Sequence, residues 1–327
     1  MFQRIAIAVG AGLASALLFV VPATQAPIAM ALAFVGPLPI MIAGLGFGPA
    51  VGLSAAFAGS FIIALSLHPL LGLFFGATLG LPAYWLSRLA IQSRPLLLPD
   101  GAHHPTQREF YPQGRLLAWM AALSGGTALL LVLVMAAREG SLSTTIDGVA
   151  ERMAPLIVRL FNGENNLPGG YSAQEFARAI VLSMPAVMAG WGVITLAVNL
   201  WLAARVAQIS GLIPLVASDI PYRLRLPADS IWVLVASLLA CLLGETPRLI
   251  GSTIAAAFAV AFALHGLAAI HGAMRGHAAR TPLLVGVYFT MFVLLPWPLI
   301  IASVVGIFDT FVPFRRKPAP PRPASTT

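Results

Sequence analysis

Six histidines, eleven carboxylates and a single cysteine are the side chains of this 327-residue sequence that could hold a metal or move a proton, and their spacing limits what they can do. His265, His271 and His277 fall six residues apart. On a helix turning about 100° per residue, that spacing directs them to three different faces, so they do not form a three-histidine metal site. His103 and His104 are neighbours in a polar stretch with no further ligand beside them, and read as solvated. Cys241, alone inside an apolar run, excludes an intramolecular disulfide and a cysteine metal cluster. Asp309 lies at the edge of the last apolar run and Glu245 at a turn, where it is close enough in sequence to pair with Arg248. A proton-driven transporter usually keeps an acid at mid-membrane, so ion coupling by this chain alone is not expected. No phosphate loop, nucleophile elbow or His-Glu-x-x-His helix can be read, and the expectation is a protein with no catalytic residue, cofactor or metal. Inside apolar runs, His265 and Asn199 carry an imidazole and an amide that need polar partners. With Pro37 and Pro39, which remove backbone donors in the middle of an apolar run, they are the candidate cavity-lining residues.

The elements that must position these residues are membrane helices. Residues 5–87 contain no Lys, Arg, Asp or Glu, and a soluble fold could not solvate so long a stretch. Proline and glycine divide it into runs near 5–22, 27–46, 49–67 and 70–87, each long enough at 1.5 Å per residue to cross about 30 Å of hydrocarbon. The first run resembles a secretory signal, but a second apolar run follows at once, so a retained helix is the better reading. A mean hydropathy of +0.90 and only 9% charged residues extend the membrane assignment to the whole chain, an all-α polytopic protein. Its net charge of +8 does not call for nucleic acid, because the basic residues are scattered over loops and fit membrane orientation.

The segment 88–115 carries four arginines against Asp100 and Glu109, which makes it a cytoplasmic loop. After a span at 116–137, residues 138–178 lack that basic excess and belong outside. Ile146, Val149, Met153, Leu156, Ile157 and Leu160 recur at helical spacing there, predicting an amphipathic helix over 146–161 that lies on the membrane or caps the bundle. Ser172 and Glu175 form a capping-box pattern that opens a long helix to 208, followed by spans near 230–244 and 249–273. The last run, 282–308, contains Pro296-Trp-Pro298. Crossing once, it would make nine spans and leave the basic tail outside. If it turns back at the prolines, or if an earlier run fails to span, eight spans remain and fourteen of the nineteen Lys and Arg fall on one side, which is the preferred reading. The membrane domain is thus 1–312, and the Pro-rich tail 313–327 is expected to be disordered.

Several segments resemble one family. Ala6–Ala16, Gly36-Pro-Leu-Pro39 with Gly44-Leu-Gly-Phe-Gly48, His265-Gly-Leu-Ala-Ala-Ile270, and Gly306-Ile-Phe-Asp309 followed by Phe314-Arg-Arg316 look like the bacterial membrane proteins grouped as domain of unknown function 2232. The likeness runs along nearly the whole chain and implies a bacterial inner-membrane protein without an established activity. That family is itself similar to the substrate-binding subunits of energy-coupling-factor transporters, whose first helix docks to a coupling subunit through small residues four apart. Ala8, Gly12 and Ala16 fit that pattern and are the candidate docking face. This chain is far longer than those subunits and has no recognisable vitamin-binding signature. Two functions follow as expectations: a small-molecule binding or transport subunit that relies on other membrane-protein subunits, or a membrane scaffold or regulator without a transported ligand.

Overall fold

The computed structural model describes residues 1–24, 26, 28–97, 103–213, 219–312 and 315, so the expected disorder of 313–327 lies outside the described residues apart from Arg315. The apolar runs become α1 (Phe2–Val20), α2 (Ala29–Phe34), α3 (Leu38–Phe47), α4 (Pro49–Ser66), α5 (Pro69–Phe75) and α6 (Leu81–Ala90), the last two joined by a π turn over Gly76–Gly80. Strands β1 (Ser93–Leu97) and β2 (His103–Phe110) follow, then α7 (Gln113–Glu139), α8 (Leu142–Leu160), α9 (Ala173–Ile209) and the single turn α10 (Ile220–Arg223). Helices α11 (Asp229–Ala240), α12 (Glu245–Ala273), α13 (Arg280–Val293) and α14 (Trp297–Phe311) complete the bundle. Among the described residues, seven helical stretches are long and apolar enough to cross a membrane, and the fold is an all-α polytopic one.

The stretch expected as a plain polar loop at 88–115 is more ordered than its composition suggests. Helix α6 continues to Ala90, and β1 and β2 pair antiparallel, Arg94 opposite Glu109 with 2.8 Å between their charged groups. Two short strands satisfy each other's backbone groups where the chain leaves the bundle.

Small residues set the helix contacts of the uncharged quarter. Ala8, Gly12 and Ala16 are buried on α1, whose main neighbour is α4, and a Cβ added to Gly12 would lie 2.5 Å from the Ala55 carbonyl oxygen and 2.8 Å from Gly59 N. The face read as a docking surface is therefore filled from within the chain, which leaves no room there for a partner's helix. Close backbone approach of this kind needs side chains without bulk. Gly12→Leu is accordingly expected to lower the stability of the isolated protein by about 1–3 kcal/mol, read as a shift of thermal unfolding in detergent. Unchanged unfolding together with loss of a co-purifying membrane protein would return the face to a partner.

The prolines break the second span as expected. Pro37 and Pro39 have no N–H to give the carbonyls of Ala33 and Val35, which accept instead from Gly36 N and Leu38 N, both at 3.0 Å; the shift to these tighter turns leaves the carbonyls of Phe34 and Gly36 to two neighbouring helices. Asn199 Nδ2 on α9 donates to Phe34 O at 2.8 Å, and Ser15 Oγ on α1 donates to Gly36 O.

On the opposite end from the β hairpin, Ser141 and Ser172 cap α8 and α9, each in a capping box, with Thr144 and Glu175 as the third residues. The Ser141 cap starts α8 at Leu142, four residues before the expected 146. Its apolar stripe is partly covered: Ala150 and Ile157 pack with Leu167, Ala173 and Ala177 into a small second core over the ends of α7 and α9, while Leu156 and Leu160 stay exposed. Glu245 does not pair with Arg248, as sequence proximity suggested. It meets Arg178 of α9 at 2.8 Å, and Arg178 in turn meets Asp147 of α8 at 2.9 Å, because α12 begins beside the start of α9. Arg248 instead donates from Nε to Cys241 O at 3.4 Å.

Helix α12 is central, in contact with α7, α9, α11 and α14. The last apolar run does not cross once. It turns between Leu294 and Pro296, giving arms of 14 and 15 residues, about 21 and 22 Å long and short of a full crossing. Ser303, Gly306 and Asp309 of α14 lie against Ala259, Phe262 and His265, a constant offset, so α14 runs parallel to α12 and ends where α12 ends. Arg280 starts α13 near His271, and Arg315 reaches Pro221 O, so both ends of the hairpin return to the side of the 209–229 connection.

Candidate functional site

The convergence at the shared end of α12 and α14 is made possible by two glycines. A Cβ on Gly266 would run into the Ala302 carbonyl, and one on Gly306 into the Phe262 carbonyl. With no side chains between them, the two backbones close up and bring together residues 44 positions apart: His265 Nε2 lies 3.0 Å from Asp309 Oδ2. His265 is 0% exposed and Asp309 1%.

Asp309 Oδ2 is the hub of a buried cluster. Arg315 approaches it with Nη2 at 2.9 Å and Nε at 3.0 Å, and Arg225 Nε stands 3.9 Å away. Arg315 also donates to Pro221 O at 3.0 Å, to Tyr222 O at 3.4 Å and to His265 O at 3.5 Å, tying the chain after α14 to the turn α10. Beside it Arg275 clasps Asp219, Nη1 to Oδ2 at 2.6 Å and Nη2 to Oδ1. The Arg275 hydrogen bonds hold the Asp219 carboxyl below its ordinary value of 3.8. A carboxyl depressed in this way stabilises the fold above its unfolded value and loses that contribution as pH falls through its folded one.

One carboxylate against two guanidiniums makes the Asp309 cluster cationic when His265 is neutral. Two of its polar atoms, Asp309 Oδ1 and His265 Nδ1, are buried with no hydrogen-bond partner. Each can take a donor or a proton, and Arg225, whose side chain is 39% exposed, connects the cluster to the outside of the bundle. Removing ionised groups from water costs several kcal/mol per ion unless their pairing is good. A membrane bundle seldom keeps such a cluster without a use for it.

The four residues expected to line a cavity separate into two places. Pro37, Pro39 and Asn199 belong to the repaired helix break, where Asn199 Nδ2 bridges Phe34 O and Thr195 O, both at 2.8 Å, while its Oδ1 is buried and unpartnered. His265 belongs to the Asp309 cluster. Two cavities lie along α12 and α13, and none of the four residues lines either. Sequence reasoning placed Asp309 at the edge of a run and missed its partners Arg225 and Arg315. The available signal was that His265, Asp309 and Arg315 all lie in segments that carry the family resemblance.

Residues 111–310 match the family of predicted membrane proteins designated DUF2232. The chain belongs to that family. The match takes in α7 to α14, with Arg225, His265 and Asp309 inside it, and leaves α1 to α6 and Arg315 outside. No curated protein and no solved structure matches the chain.

Proposed function

We propose that this DUF2232 protein lies in the bacterial inner membrane with its N-terminus and β hairpin in the cytoplasm. There it works as a small-molecule binding or transport subunit that draws energy from partner membrane proteins and performs no catalysis of its own. The supporting observation is the buried His265–Asp309–Arg315 cluster with its two unpartnered atoms, placed at the end of the bundle that Arg225 opens to one surface. Ionisable groups held inside a membrane bundle are functional candidates by default. The distribution of Lys and Arg supports the orientation. A cysteine placed at position 160 is expected to label in intact spheroplasts, and labelling only after permeabilisation would invert the topology.

The test of function compares uptake. Cells carrying Asp309→Asn in place of the wild-type chain, at equal membrane abundance, should fail to accumulate one class of small molecule that wild-type cells take up. A second reading, a scaffold without ligand, is favoured by the use of Arg315, whose guanidinium is spent on partners within the chain. An unchanged uptake profile, together with loss of a co-purifying membrane complex in Asp309→Asn, would decide for the scaffold.

A further inference from the structure

We propose that the groove between α12 and α13 is a lateral binding site for an anionic phospholipid. Helix α14 of the terminal hairpin packs tightly on α12, yet α13 has no buried residue and stands off from the bundle. The space between α12 and α13 holds an open cavity of 640 Å³, and a second of 330 Å³ adjoins it at Tyr288 and Phe292, so the two together line a channel from His271 toward Leu264 of α12. These volumes are in the range of small-molecule sites.

The channel is graded in polarity along its length. At the surface end are Arg280, Thr281 and the pair His271 Nε2 and Tyr288 Oη, 2.8 Å apart. Deeper in, the walls are hydrocarbon, among them Leu264, Leu267, Phe292 and Leu299. Walls of that kind do not hold water, and within a bilayer an acyl chain is the apolar material at hand to fill them. The mouth selects the headgroup. No carboxylate lines either cavity, and among the described residues none lies within ion-pairing distance of Arg280, which leaves its charge for a phosphate while Thr281, His271 and Tyr288 offer hydrogen bonds. Basic pockets between helices on the cytoplasmic side are suited to such headgroups. The same end of the bundle carries the basic excess, so the mouth faces the leaflet surface where anionic lipid is drawn.

The test uses the full chain, delipidated in mild detergent and titrated with mixed micelles of phosphatidylglycerol or phosphatidylcholine, with bound lipid counted by native mass spectrometry. Phosphatidylglycerol should be retained over phosphatidylcholine. Arg280→Gln, at an exposed position that leaves the bundle intact, should weaken its retention about five-fold, the share of one basic side chain at a membrane surface. Leu267→Trp should remove it by filling the channel. Arg138→Gln, at the other end of α7, should leave retention unchanged. Equal retention of both lipids, equal retention in Arg280→Gln, or an equal loss in Arg138→Gln would overturn the proposal. Competition by free glycerol 3-phosphate as strong as by the lipid would also overturn it, since the site would then read only a phosphate.

Discussion

Asp309→Ala is expected to lower the unfolding free energy of the solubilised protein by about 3–5 kcal/mol, the cost of leaving a buried partner charge uncompensated. The side chains of Asp309 and Arg315 are both 0% exposed, so Arg315 cannot turn to water when its carboxylate is removed. Arg225, 39% exposed, can. The prediction therefore has an internal control. Replacing both partners, Asp309→Leu with Arg315→Met, should recover much of the loss, because an apolar pair of similar volume removes the buried charge altogether. Reversible unfolding in mixed micelles of increasing SDS content reads both effects. A single variant as stable as the wild type would mean that water reaches Arg315 once the carboxylate is gone.

Gly266→Val should have the second largest effect, at or above the upper end of the roughly 1–3 kcal/mol that overpacking costs. The group in its way is the backbone carbonyl of Ala302, and a backbone cannot step aside as a flexible side chain does. Relief requires α14 to move off α12, which would pull Asp309 from His265 and Arg315 as well. Gly10 and Gly286, by contrast, have nothing within 4 Å of an added Cβ, and Val at either should be close to neutral. Thermal unfolding of the three variants side by side checks the ranking. A Gly266→Val protein as stable as Gly286→Val would show that α12 and α14 are not in backbone contact.

The two effects are linked, because the glycines make the ionic cluster possible. Side chains of ordinary size at 266 and 306 would hold the helices apart, and Asp309 would then lie in an apolar interior without its partners. The same arrangement explains why a cluster this polar can sit at the end of helices so apolar: the charge is confined to where α12, α14 and the turn α10 meet.

What the sequence by itself determined was the solvent and the class of fold. Eighty-three consecutive positions without an ionic side chain, residues 5–87, exclude water as their surroundings whatever they pack against, and apolar length measured against hydrocarbon thickness sets the spans. Caps were legible for the same local reason: Ser172 and Glu175 need only each other, and both bonds are present. The break at Pro37 and Pro39 followed from missing donors within a few residues. What only the tertiary structure decided is which faces meet. Small residues four apart mark a face for close approach but do not say whose helix will approach, and at Gly12 it is α4 of the same chain. Glu245 had a basic neighbour three residues away and took one 67 residues away instead, because the start of α12 lies beside α9. His265 and Asp309 looked like an isolated histidine and an edge acid until a parallel return of the chain set them side by side. Hydropathy is a sum over neighbours in sequence and survives any rearrangement of the helices. A hydrogen bond between residues 44 positions apart depends on one packing, and no local pattern encodes it.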